Sequence, residues 1–236
     1  MLQISSWLLQ LTAVPLVQTP FWQLSPTVHV LPSASQPVPF AFGCLMHTPS
    51  VPRQTPSLQA SASVAQSCAQ ELQQQCFELG LHFDRLVVGS GSSGTHGGLV
   101  AGFLGNHIDL PVVGIGVSRD PADQEPLVHR EAQAVADLLG LGLTVPREAV
   151  RTVGGYWQPK YSVPNARMVE AVQWLARSEN LLLDPVYTGK TMAGLIGLAR
   201  EGFFKPGERV LFLHTGGLPS LFAYAPTVLG EGEVAP

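Results

Sequence analysis

Residues 85–99 read Arg-Leu-Val-Val-Gly-Ser-Gly-Ser-Ser-Gly-Thr-His-Gly-Gly-Leu, a branched apolar run that passes through a glycine-rich turn toward a helix. Gly89, Gly91 and Gly94 permit backbone conformations closed to other residues. The helix that follows offers unpaired N–H groups and the positive end of its dipole. Ser92, Ser93 and Thr95 add hydroxyl donors. The chemistry open to such a turn is to hold a phosphate. It lacks the lysine of GxxxxGK[ST], which a nucleoside triphosphate loop needs. A cofactor monophosphate is the better fit. Taken alone, the turn reads equally well as a tight connection.

Three more segments carry reactive side chains. They are Lys160-Tyr-Ser-Val-Pro-Asn165, Leu183-Asp-Pro-Val-Tyr-Thr-Gly-Lys-Thr-Met-Ala-Gly-Leu195 and Phe212-Leu-His-Thr-Gly-Gly-Leu-Pro-Ser-Leu-Phe222. On residue type alone, Tyr187 is a half-buried packing residue with a satisfied hydroxyl. Thr188 reads as a helix cap, Lys190 as a solvent-exposed residue in a first helical turn, and His96 and His214 as structural histidines. No set of Cys, His and carboxylate residues has metal-ligand spacing, so no metal is expected.

Placing these residues together requires alternating strands and helices. The pattern predicts a helix from Ser63 to about Leu79 stopped by Gly80, a strand over 85–88 and a helix over 95–104. A strand over 110–117 and a helix over about 122–139 follow. Asn165 can cap a helix through Arg177, residues 181–183 read as a short strand, and Thr188 starts a helix to about Arg200. A strand over 209–214 leads into the glycine turn 215–218 and a short helix. The resulting fold class is α/β, an open and mainly parallel sheet with helices on both faces. In such a fold the crevice lies at the carboxyl ends of the strands, where both glycine turns and the Thr188 helix start fall.

Residues 1–62 differ in character. They contain recurrent prolines and one charged residue, Arg53. Dense proline forbids helix interiors, so an irregular segment is expected there, followed by an α/β domain over 63–229 and a tail over 230–236. The apolar stretch from Trp7 to Val17 is too short to span a bilayer and is interrupted by Pro15, so no membrane partner is expected. A net charge of -4 gives no basic stripe for nucleic acid. Three cysteines without a CxxC pair suit a reducing compartment, which makes the cytoplasm the expected location.

Together the four segments resemble the pyridoxal-phosphate enzymes of the D-cysteine desulfhydrase and 1-aminocyclopropane-1-carboxylate deaminase family, over about Ser63 to Leu229. The resemblance implies a tryptophan synthase beta-like large domain, incomplete here, with pyridoxal 5'-phosphate as cofactor. It implies that Gly91, Ser92, Ser93, Gly94 and Thr95 hold the cofactor phosphate, and that Thr215 and Gly216 complete the pocket wall. Thr188 stands where the deaminase branch has a glutamate facing the pyridine nitrogen, which points to the desulfhydrase branch. Tyr161 and Tyr187 match the two active-site tyrosines. The implied reaction takes D-cysteine, a small amino-acid substrate, to pyruvate, ammonia and sulfide, in a homodimer. The family's Schiff-base lysine and the serine-asparagine motif after it are not found in residues 1–62, where no lysine occurs. A truncated or frame-disrupted chain with little or no activity is therefore expected. Deaminase or other β-elimination chemistry, a partner chain supplying the missing half, and noncatalytic binding of a phosphorylated small molecule are the alternatives.

Overall fold

The computed structural model describes residues 56–232 together with Val234 and Ala235. The irregular character expected for residues 1–55 falls outside the described residues. One correction comes at the start of the domain. The first helix, α1, runs Pro56–Ser63 and continues through a π-helical stretch, Val64–Cys68, into α2, Ala69–Leu79. Ser63 is not a cap, because its φ of -63° and ψ of -38° are those of a helix interior. Proline at the first helical position has φ preset and gives up an N–H that would be unpaired anyway, so Pro56 can begin the helix seven residues before the expected start. Ser61, Ala62 and Ala65 are buried. Gly80 ends α2 in the left-handed conformation, as expected.

After α2 come β1 (Arg85–Ser90), α3 (Gly94–Gly105), β2 (Val112–Gly116) and α4 (Pro121–Leu138). A 3-10 turn at Arg147–Ala149 leads into β3, Arg151–Val153, a strand the sequence pattern did not suggest. Then follow α5 (Ala166–Glu179), α6 (Thr188–Arg200), β4 (Val210–Phe212), α7 (Pro219–Ala223) and α8 (Ala225–Val228). Residues 181–183, expected as a strand, form no strand. Leu183 is buried, but the Leu182 carbonyl accepts from the His214 ring at 2.9 Å instead of joining a ladder.

The sheet has the order β3-β2-β1-β4, and all three pairings are parallel. Its register sets Leu86 beside Val112, Val87 beside Val113 and Val88 beside Gly114. Successive strand residues point to opposite faces. Leu86 and Val88 therefore join the core under α1 to α4, while Val87, Val113 and Ile115 join the core under α5 and α6. Burial on both faces explains why β1 and β2 read as unbroken apolar runs. Helix α3 lies so close to the first helices that a Cβ at Gly102 would sit 2.7 Å from the Ala65 carbonyl oxygen. The chain's last described residue is also docked: the Ala166 N–H donates to the Ala235 carbonyl at 3.0 Å, so the expected tail is tied to the start of α5.

The topology locates a crevice. From β1 the chain moves outward to β2 and β3, and β4 returns on the other flank of β1. The order thus reverses between β1 and β4, and ligands of open parallel sheets sit outside the carboxyl ends of the strands at such a reversal.

Candidate active site

β1 delivers the chain into the glycine turn at that reversal. A Cβ at Gly91 would lie 3.0 Å from Val117 Cγ2, tighter than an ordinary contact, and 3.7 Å from the Tyr187 ring, so the turn packs closely against both. Ser93 precedes α3 with φ 73° and ψ -20°, a left-handed conformation that costs a non-glycine residue of order 1 kcal/mol. The Ser93 side chain makes no capping hydrogen bond at this helix start. First-turn N–H groups of a helix can bind an anion.

What holds the strained turn is Gln124 on α4, which is fully buried. Its amide nitrogen donates to Ser90 Oγ at 3.0 Å, to the Gly91 carbonyl at 3.2 Å and to Ser93 Oγ at 3.2 Å. Arg119 donates in turn to Gln124 Oε1 at 3.0 Å and to the Gly91 carbonyl at 2.8 Å. Because Ser93 Oγ accepts from Gln124, its hydroxyl hydrogen remains available to donate. His96 lies under the turn, buried, with Nδ1 3.0 Å from Ser90 Oγ. Burial drives its pKa down to about 4, so the ring is neutral. Its Nε2 has no partner among the described residues.

The opposite wall begins with Asp184, which is fully buried. Its carboxylate accepts from the backbone N–H groups of Val186 at 2.8 Å, Tyr187 at 2.7 Å and Thr188 at 2.7 Å, and from the Thr188 hydroxyl at 2.6 Å. These donors surround the start of α6, where negative charge is favoured by the helix dipole. Thr188 is the first residue of the helix and Asp184 does the capping. The Thr188 hydroxyl, buried, also accepts from the Asp184 N–H at 2.8 Å. Its hydrogen is thus committed, and it can only accept from anything else. The second glycine turn rests on this hook: a Cβ at Gly217 would lie 2.9 Å from the Asp184 carboxyl carbon. The Gly216 N–H is taken up by His214 Nδ1 at 3.1 Å, and Thr215 is exposed.

The two tyrosines meet between these walls. Their hydroxyls are in direct hydrogen-bond contact, and their rings stand edge to face with centroids 6.0 Å apart. The bond to Tyr161, together with partial burial and the negative charge of Asp184, pushes the Tyr187 phenol up to about 12. Tyr187 therefore stays protonated, and either hydroxyl can donate to the other. Both side chains are about two-fifths exposed, within reach of a ligand.

The structure thus gathers all four sequence segments. The glycine turn meets Tyr187, Tyr187 meets Tyr161, and Asp184 meets the second glycine turn. Lys190 corrects an expectation: it is fully buried rather than solvent-exposed, and its ammonium donates to the carbonyls of Trp157 at 2.8 Å and Lys160 at 3.1 Å. Gln124, Arg119 and Asp184 were missed. Asp184 had a local signal, since Asp-Pro three residues before a helix is a turn initiator. Gln124 had none, because the groups to which its amide nitrogen donates lie more than thirty residues away. Among the described residues no three His, Cys, Asp or Glu side chains are placed to hold a metal ion, and no helix is long and apolar enough to cross a membrane.

A glycine cradle, an uncapped helix start and a strained serine held by a buried amide fit a phosphate monoester end. Residues 53–216 match the model of the family described as "Pyridoxal-phosphate dependent enzyme". The chain is 46% identical over 161 residues to proteins named D-cysteine desulfhydrase in Salmonella paratyphi C (strain RKS4594) and Salmonella enteritidis PT4 (strain P125109). The alignments cover 68% of this chain and 48% of those proteins, so the chain spans about half the length of the curated relatives it matches. A crystal structure described as an ACC deaminase homologue superposes with a TM-score of 0.61 at 31% identity, covering 75% of this chain and 50% of that one.

Proposed function

This chain belongs to the family of pyridoxal-phosphate dependent enzymes, and from that premise we propose that it is a lyase of the D-cysteine desulfhydrase type, whose reaction converts D-cysteine and water into pyruvate, ammonia and sulfide. The fold is the tryptophan synthase beta-like α/β architecture, and the family's cofactor is pyridoxal phosphate. The observation that carries the reading is the convergence of the glycine turn with a hydrogen-bonded tyrosine pair. Noncatalytic binding of a phosphorylated molecule would need the turn and leave the hydroxyl pair without a task.

In this reading the cofactor phosphate sits on the backbone of Gly91, Ser92, Ser93, Gly94 and Thr95, with the Ser93 and Thr95 hydroxyls donating to it. Thr215 and Gly216 line the far side, and Thr188 stands toward the ring nitrogen. A neutral hydroxyl whose hydrogen already belongs to Asp184 cannot supply that nitrogen with the negative charge of the carboxylate expected in a deaminase. When bound, the cofactor supplies an electron sink for negative charge developing at the substrate α-carbon. Tyr161 holds a transferable proton at Oη toward the substrate, and Tyr187 can refill it across the hydrogen bond between them. The half-buried, free Cys68 and Cys76 support the cytoplasmic setting, and a homodimer belongs to the same reading.

The sequence holds three lysines, Lys160, Lys190 and Lys205. The Lys190 ammonium is engaged by two carbonyls. We therefore expect the chain to bind pyridoxal phosphate in competition with inorganic phosphate, but to release sulfide from D-cysteine weakly or not at all. Borohydride reduction of the loaded protein, followed by intact and peptide mass measurement, tests this. A stoichiometric adduct on one lysine would overturn the expected inactivity. Absence of phosphate-competed binding would overturn the cofactor site.

A further inference from the structure

Lys190 occupies a costly place. A buried ammonium loses its hydration, and in the first turn of a helix it also faces the positive end of the dipole. No carboxylate lies within ion-pair distance of it among the described residues. Its only acceptors there are the carbonyls of Trp157 and Lys160. Those two residues bracket the approach to Tyr161, in the loop that follows β3. Lys190 itself is three residues past Tyr187.

We propose that Lys190 is a positioning residue that ties the Tyr161 loop to the helix starting just after Tyr187, so that the two phenols meet. It rests on the preceding reading only in treating these tyrosines as the proton-handling pair. The loop has other supports: Asn165 donates to the Tyr156 and Gln158 carbonyls at 3.1 Å and 2.7 Å, Tyr224 Oη donates to the Ser162 carbonyl at 2.9 Å, and Trp157 Nε1 donates to Asp120 at 3.0 Å. Those anchors come from α4, α5 and the end of the chain, and fix the loop's outline. Lys190 alone among these donors lies on the helix that Tyr187 introduces, and so it sets the spacing between the two hydroxyls.

The test uses the full chain without cofactor, so its outcome is independent of whether the chain turns over D-cysteine. The sequence has four tyrosines, and labelling them with 13C at Cζ gives four resonances, assigned by single phenylalanine substitutions. Lys190→Met is expected to move the Tyr187 resonance to the position it takes in Tyr161→Phe, and to add no further shift when combined with Tyr161→Phe. A Lys190→Met protein that melts at a lower temperature but keeps the wild-type Tyr187 resonance would overturn the proposal, since a purely structural lysine predicts that result. Where Lys190→Met does not fold, Lys190→Gln decides by the same criterion. Its shorter side chain can reach at most one of the two carbonyls, so a smaller shift in the same direction supports the role and no shift overturns it.

Discussion

The two walls of the crevice are built by different means. The glycine turn is made by consecutive residues on one strand-to-helix connection, with one glutamine and one arginine reaching in from behind. The tyrosine wall is made by residues far apart in sequence. Tyr161 follows β3, Tyr187 precedes α6, and their loop is pinned by donors at Asn165, Lys190 and Tyr224. A site for a constant group such as a phosphate can be supplied by backbone geometry, which survives many side-chain changes. A pair of hydroxyls that must meet across two elements needs long-range side-chain anchors, and each anchor is a separate point of failure.

Asp184→Ala should give the largest effect. It strips four donors of their acceptor at the start of α6, and a loss of about 4 kcal/mol, or failure to fold, is expected in urea denaturation. Stability near that of the wild type would mean that the tyrosine wall is not organised by this hook.

His96 gives the next effect, on the side of the glycine turn. The unfolded histidine takes up a proton near pH 6.5, whereas burial makes the folded one resist protonation until about pH 4. More protons are bound by the unfolded state in that window, so stability should fall on acidification from 6.5 to 4, by about 3 kcal/mol, with no further loss from this group below it. Urea midpoints compared at pH 7 and 4.5 check this, and His96→Leu should flatten the difference.

Gln124→Leu should cost about 2 kcal/mol, because Ser90 and Ser93 lose a buried donor, and should weaken pyridoxal phosphate binding about tenfold while leaving the Tyr187 resonance in place. A moved tyrosine signal would show the two walls to be coupled. Tyr161→Phe sits at the small end for stability, within about 1 kcal/mol, since Tyr161 is exposed. It should leave cofactor affinity unchanged and, in any assay showing sulfide release, reduce the rate about a hundredfold. Weakened cofactor binding in this variant would place Tyr161 at the phosphate and break the division between the walls.

The sequence by itself determined whatever depends on neighbours along the chain. The apolar run ending in glycines specified β1, its turn and α3. Asn165, whose Oδ1 accepts from the Met168 N–H at 2.9 Å, specified the start of α5. The alternation of such units specified a parallel sheet, because each buried strand must be covered on both faces. Only the tertiary structure decided the rest. β3 is three residues long, with one side chain buried, too short to leave a period, yet it carries the Tyr161 loop to the carboxyl edge. The helix beginning at Pro56 is fixed by contact with α3, and residues 181–183 are kept from a ladder by His214. Gln124 and Lys190 look like ordinary polar helix residues until the fold surrounds them. Local backbone preferences are written in a few adjacent side chains, whereas a buried hydrogen bond between distant residues exists only once the chain has closed around it.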